Sequence, residues 1–134
     1  MLTSRFHKTL VPLDVTRKTL LQKDTVNQWL NTDTEIAQFY GKAFNYYLNA
    51  YKKAYPYLKG CALHDPLAVA IAMKSELIKN SFDMNLRADL KEETKGWTVE
   101  NLEKIEDTKT TTVVLDIHLS DFQRLFADTI HFSN

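Results

Sequence analysis

A histidine and an aspartate adjoin at positions 64 and 65, within the segment GCALHDPLAVAIAM. Histidine titrates near neutral pH and can donate a proton to a leaving group. An aspartate carboxylate can bind a hard cation such as Ca²⁺ through its oxygens. A helix that begins here would hold both side chains at its N-terminus, where ligands commonly collect in α/β proteins. His64 and Asp65 are therefore the first candidates for a functional site.

The same dipeptide also has a purely structural interpretation. Asp65 is a suitable N-cap, because its carboxylate can accept a hydrogen bond from an N–H of the first turn. Pro66 has the backbone geometry that the first helical position requires. The apolar segment LAVAIAM that follows predicts a helix that is buried on all sides. On this interpretation His64 only precedes a capping residue, and the dipeptide alone does not decide between the two.

A long helix is predicted to precede this segment. Thr32 and Glu35 have the spacing of a capping box, and Pro56 marks the end of the helix. Apolar and aromatic residues recur between them at three- and four-residue steps, which predicts a single stripe along the helix. The members of the stripe are Ile36, Tyr40, Phe44, Tyr47, Leu48, Tyr51 and Tyr55. Aromatic residues at this spacing are typical of core packing.

The other predicted elements alternate between strands and helices. Residues 8–15 predict a strand that ends near Asp14. A helix is predicted over residues 17–30, with a break near residues 22–24. Asp14 and Thr16 are expected to cap this helix. Residues 81–102 predict a hairpin that turns at Gly96. The β-branched segment 110–117 predicts a buried strand. A closing helix follows, in which Ser120 and Gln123 have capping-box spacing. This alternation predicts an α/β fold.

Composition narrows the classes of protein to which the chain can belong. Its 134 residues suit one domain, and its 17 basic and 17 acidic residues cancel, so we expect no nucleic-acid or membrane partner. Cys61 is the single cysteine, which excludes an internal disulfide and favours a reducing compartment. No apolar segment approaches the ~20 residues that span a bilayer. We therefore expect a cytoplasmic protein.

Four segments resemble, in order, the C-terminal half of the inosine-uridine-preferring nucleoside hydrolases. They are VPLDVTRKTL, YYLNAYKKAY, GCALHDPLAVA and ETKGWTV, and the resemblance extends over residues 11–132. It implies that residues 1–134 form a single domain: the C-terminal portion of a Rossmann-like α/β fold, with helices on a partial sheet and a β-hairpin. It also implies the family's reaction in purine and pyrimidine salvage, which hydrolyses the N-glycosidic bond of ribonucleosides to ribose and a free base.

The resemblance also implies a role for each candidate residue. In the family, a bound Ca²⁺ holds the ribose diol and activates a water molecule, and an aspartate takes the proton of that water. The ribosyl ring then develops oxocarbenium character. By resemblance, His64 protonates the leaving base and Asp65 is a calcium ligand. Tyr51, and Tyr47 one turn earlier, are expected to contact the base of the ribonucleoside.

One part of the family pattern has no counterpart in this sequence. The family opens with an aspartate-rich motif, D-x-D-x-x-x-D-D, that supplies the catalytic base and most calcium ligands, and no segment here matches it. Because Ca²⁺ takes six to eight oxygens, one carboxylate does not complete a site. We therefore expect the N-terminal half to be absent, the chain to be inactive alone, and an exposed apolar surface to self-associate or bind a complementing fragment. The alternative is a non-catalytic remnant that acts as a protein-interaction module.

Overall fold

The structure is a computed structural model that describes residue 2 and residues 4–131, with only the backbone of residue 131. Its strands are β1 (Lys8–Leu10), β2 (Leu20–Leu21), β3 (Cys61–Ala62), β4 (Ile78–Met84), β5 (Leu86–Ala88), β6 (Thr98–Glu100) and β7 (Thr111–Ile117). Its α-helices are α1 (Leu13–Thr16), α2 (Lys23–Leu30), α3 (Glu35–Ala54), α4 (His64–Met73) and α5 (Leu119–His131). Single 3₁₀ turns lie at Ser75–Leu77, Glu92–Thr94 and Leu102–Lys104.

The main sheet has three strands in the order β1-β7-β4. The central strand β7 pairs in parallel with β1 and antiparallel with β4. Most of its side chains are buried, including Val113, Val114 and Ile117, so the prediction of a buried strand here is confirmed. The predicted hairpin is formed by β5 and β6, and Gly96 lies in its turn with φ at +87°, a conformation that favours glycine.

The hydrophobic core lies where α2, α3, α4 and α5 pack against one another and against β7. Trp29 of α2 is fully buried, and its ring lies 5.9 Å from Phe44 of α3 and 6.1 Å from Phe126 of α5. The α/β class and the long aromatic helix are both confirmed. Among the described residues, no helix combines the length and the apolar character needed to cross a membrane.

The predicted helix caps are wrong. Helix α3 begins at Glu35 with Thr34 at the N-cap position, and Thr32 Oγ1 lies 3.3 Å from Thr34 Oγ1 instead of capping the helix. Helix α5 begins at Leu119, before Ser120. Asp65 lies inside the first turn of α4, because the backbone N–H of Leu67 already bonds to the carbonyl of Leu63 at 3.1 Å. Pro66 is tolerated there, since first-turn N–H groups have no partner within the helix.

The segment before α2 also differs from the prediction. Strand β1 ends at Leu10, and residues 13–16 form the short helix α1 where the strand was expected to continue. The predicted helix 17–30 begins only at Lys23, because Leu20 and Leu21 pair with Ala62 and Cys61. Gly60 permits this pairing: a Cβ at residue 60 would lie 2.5 Å from the carbonyl oxygen of Leu21. Pairing between β2 and β3 therefore replaces helix in this segment.

Helix α4 is buried on one face only, although its sequence predicts burial on all sides. Leu67, Ala70 and Ile71 face the core. On the other side Val69 is 57% exposed and Met73 is 74% exposed. The apolar composition of α4 therefore exceeds what the described residues can cover.

Candidate functional site

Three helices meet at the side chain of His64. The hydroxyl of Tyr51, on α3, lies 2.7 Å from Nε2 of the imidazole ring. The hydroxyl of Thr16, at the end of α1, lies 2.6 Å from Nδ1. His64 is half-buried at the first position of α4, and Thr16 is 3% exposed. Both ring nitrogens are therefore engaged by hydroxyl groups, which fixes the orientation of the ring.

Pairing between β2 and β3 brings these helices together. Leu21 pairs with Cys61 and Leu20 with Ala62, and the N–H of Leu63 donates to the carbonyl of Thr19 at 3.0 Å. These bonds hold the first residue of α4 beside the last residue of α1. The site therefore depends on the register of a two-residue strand pair, not on proximity in sequence.

Three tyrosines, Tyr47 and Tyr51 of α3 and Tyr55 directly after it, form a row of contacting rings beside His64. The Tyr51 ring centroid lies 5.0 Å from that of Tyr47 and 5.1 Å from that of Tyr55, and 6.4 Å from the imidazole centroid. Tyr46, by contrast, is 80% exposed. Of the candidates on the helix, Tyr47 and Tyr51 thus share the side that faces His64.

The electrostatic environment keeps Tyr47 protonated. Burial raises the pKa of its phenol to about 12, and a hydrogen bond to the Tyr51 hydroxyl and nearby Asp65 contribute in the same direction. Each of these effects favours the protonated form of the phenol. Tyr47 is therefore a hydrogen-bond donor throughout the physiological range of pH.

Asp65 is adjacent to this row but is separate from its hydrogen bonds. Its side chain is exposed and lines a groove of about 350 Å³ between α4 and α5. The groove is otherwise mostly apolar, and its lining includes Pro66, Val69, Met73, Leu125 and Phe126. Across residue 2 and residues 4–131, no three His, Cys, Asp or Glu side chains come together as metal ligands. The oxygens needed to complete a Ca²⁺ site are thus not found in the part of the chain that the structure describes.

The site contains one residue that sequence reasoning missed. Thr16 was expected to cap a helix, yet its hydroxyl contacts His64, 48 residues away along the chain. A local pattern cannot reveal this contact, since it depends on the β2–β3 pairing. Of the other candidates, Tyr51 contacts His64, and the ring of Tyr47 packs against that of Tyr51.

The sequence matches the family model of the inosine-uridine preferring nucleoside hydrolases over residues 1–124. A comparison with curated proteins found no match.

Solved structures of nucleoside hydrolases share the fold of this chain. The purine-preferring ribonucleoside hydrolase from Gardnerella vaginalis is 32% identical over 91% of the chain, with a TM-score of 0.83. The plant nucleoside hydrolase PpNRh1 is 17% identical over 96% of the chain, with a TM-score of 0.82. An inosine-guanosine nucleoside hydrolase is 18% identical over 94%, with a TM-score of 0.71. The chain spans only 39%, 42% and 39% of these structures, respectively.

Proposed function

The chain belongs to the inosine-uridine preferring nucleoside hydrolase family, and on this premise we propose that it supplies the leaving-group side of a nucleoside N-ribohydrolase site. The observation that carries the proposal is the hydrogen bond of 2.7 Å between Tyr51 and His64 at the first turn of α4. This bond joins a phenol and an imidazole, both of which can donate protons. His64 lies at the N-terminal end of α4 and remains partly exposed to solvent. The substrate class is the ribonucleoside, as in the family.

The chemistry of the leaving base explains why this pair is needed. When the N-glycosidic bond breaks, its electron pair remains on the base, and a proton donated to the base lowers the barrier. The ribosyl ring meanwhile develops positive charge, as in glycoside hydrolysis. In our proposal His64 is the general acid. Tyr51 and Tyr47 bind the base through their hydroxyl groups and rings.

Asp65 is proposed as one ligand of a metal ion, with Ca²⁺ as the expected metal. The described residues do not form a complete site around it. We therefore assign Asp65 one or two oxygens of the ligand set, and the other ligands to a part of the fold outside residues 1–134. Activation of the attacking water belongs to that other part as well.

The length of the chain relative to its relatives supports this division. Residues 1–134 span about 40% of the solved structures and match the C-terminal portion of the family by resemblance. We propose that the rest of the family fold covers the α4–α5 groove and supplies the aspartate-rich motif. On this proposal residues 1–134 alone have no hydrolase activity. We also propose a cytoplasmic location, which the free thiol of the buried Cys61 supports.

A second candidate function is protein interaction without catalysis, including self-association. The exposed side chains of Val69 and Met73 beside the α4–α5 groove favour it. Contiguous exposed apolar surface usually marks a binding site. This candidate predicts association of the chain but no role for His64 in turnover.

A chimeric enzyme separates the two candidates. The N-terminal part of the Gardnerella vaginalis enzyme would be joined to residues 1–134, and cooperative thermal unfolding would establish that the product folds. We expect the chimera to hydrolyse inosine in the presence of Ca²⁺. A folded chimera without activity would contradict the proposed hydrolase function.

Matched variants test the assigned residues. We expect His64→Gln to lower the kcat of the chimera at least about 100-fold, which is the usual contribution of a general acid. His118→Gln, at an exposed histidine that precedes α5, is the control and should leave kcat unchanged. Asp65→Asn should weaken the dependence on Ca²⁺. Equal activity of the His64→Gln and His118→Gln variants would exclude the acid role.

A further inference from the structure

Thr16 has two hydrogen-bond partners, and the bond to one of them favours one direction for the bond to the other. Its Oγ1 donates to the carbonyl of Leu13 over 3.4 Å and lies 2.6 Å from Nδ1 of His64. A carbonyl oxygen can only accept a hydrogen bond. When the Thr16 hydroxyl donates to Leu13, its oxygen is available to accept, and Nδ1–H is the group that donates to it. This arrangement favours a proton on Nδ1.

The opposite side of the ring agrees with this direction. A neutral imidazole that carries its proton on Nδ1 has a lone pair on Nε2, which accepts a hydrogen bond. Tyr51 lies 2.7 Å from Nε2 and can donate to it. The hydrogen bonds can thus run in one direction, from Tyr51 through His64 to Thr16 and the backbone of α1.

We propose that Thr16 is a positioning residue that fixes the tautomer of His64, with the proton of the neutral ring on Nδ1 and Nε2 reserved for proton transfer. The acid role of His64 rests on the proposed function, but the tautomer does not. With its proton on Nδ1 bonded to Thr16, the ring presents the lone pair of Nε2 to the Tyr51 hydroxyl.

The test is the tautomer of His64 in the full chain, measured by long-range ¹H–¹⁵N correlation with the ring in its neutral form. The wild-type ring should show the Nδ1–H tautomer. Thr16→Val keeps the size of the side chain but removes the acceptor, so the ratio of Nδ1–H to Nε2–H should fall about tenfold, as expected for one lost hydrogen bond. Thr16→Ser retains the hydroxyl and should restore the wild-type ratio.

Two results would overturn the inference. One is a wild-type ring that is mainly in the Nε2–H form, which decides the matter even where Thr16→Val fails to fold. The other is a folded Thr16→Val variant with the wild-type ratio. Neither result depends on substrate. An inactive chimera with the Nδ1–H tautomer would therefore contradict the hydrolase proposal and leave the role of Thr16 intact.

Discussion

At the scale of residues, the site consists of one histidine held between two hydroxyl groups. Hydroxyls can donate or accept, so Tyr51 and Thr16 can satisfy the His64 ring in its neutral and its charged form. Such a setting suits a group that must gain and lose a proton.

Removing one of these hydroxyls should cost stability. Tyr51→Phe leaves Nε2 of His64 without its partner, and we expect the free energy of unfolding to fall by about 1 kcal/mol. Urea denaturation measures the change. Tyr46→Phe, on the exposed side of the same helix, is the control and should shift the value by less than about 0.5 kcal/mol. Equal effects of the two substitutions would show that the Tyr51–His64 bond contributes nothing.

Stability at alkaline pH should depend on Tyr47. Its pKa is raised from 10.0 to about 12 in the folded chain, so between these values the folded state holds a proton that the unfolded state has lost. The resulting stabilisation is complete below about pH 10 and is lost as the pH rises through 12. Urea midpoints measured from pH 9 to 11 should decline more steeply for the wild type than for Tyr47→Phe. Parallel curves would contradict the raised pKa.

The sequence allowed most of the candidate residues to be identified, but it did not predict the contacts that they make. The spacing of the stripe placed Tyr47 and Tyr51 on one side of α3, and the resemblance singled out His64. Thr16 was missed because its partner is distant along the chain. Asp65 was expected to cap α4, but the backbone of Leu63 begins the helix first.

At the scale of elements, one face of α4 packs in the core, and the first residue of α4 belongs to the candidate site. Its buried face is set by Leu67, Ala70 and Ile71, while His64 stands at its first residue. The side chain of Leu67 is fully buried between its neighbours. A substitution that disturbs the packing of this buried face should therefore also displace His64.

Truncation of the buried face should destabilise the whole chain. We expect Leu67→Ala to lower the free energy of unfolding by about 2–5 kcal/mol, because it removes buried apolar surface and leaves a cavity. Val69→Ala, two residues away on the exposed face, should cost less than about 1 kcal/mol. Chemical denaturation of the two variants provides the comparison. A larger loss for Val69→Ala would mean that the face assigned to solvent is in fact covered.

Elements with a complete local pattern could be predicted, and elements defined by distant pairing could not. Helix α3 and strand β7 carry their periodicity or their β-branched residues within one segment. Strand β2 has only two residues, and it forms because Gly60 lets the next strand approach closely. The short helix α1 follows from Pro12, which lies at its N-cap position and separates it from β1.

At the scale of the whole molecule, the chain covers about 40% of the length of its relatives and carries an apolar groove. Exposed Val69 and Met73 lie along that groove. The fold could be expected from the family resemblance. The exposed fraction of α4 could not be predicted, because an apolar sequence does not specify which residues cover it.

Exposure of this surface predicts association of the isolated chain. Its apparent mass in analytical ultracentrifugation should rise with concentration, because burial of Val69 and Met73 is favourable. Met73→Lys should shift the chain toward monomer. Leu90→Lys, at an apolar residue that is 80% exposed and outside the groove, is the control and should leave association unchanged. A compact monomer at every concentration would contradict association through this surface.

The leaving-group role of His64 is best tested by a comparison of two substrates in the folded chimera. Inosine releases a base that needs a proton, whereas 4-nitrophenyl riboside releases an anion that is stable without one. We predict that His64→Gln lowers kcat for inosine at least about 100-fold but changes kcat for 4-nitrophenyl riboside by less than about threefold. Equal losses for the two substrates would show that His64 does not protonate the leaving base.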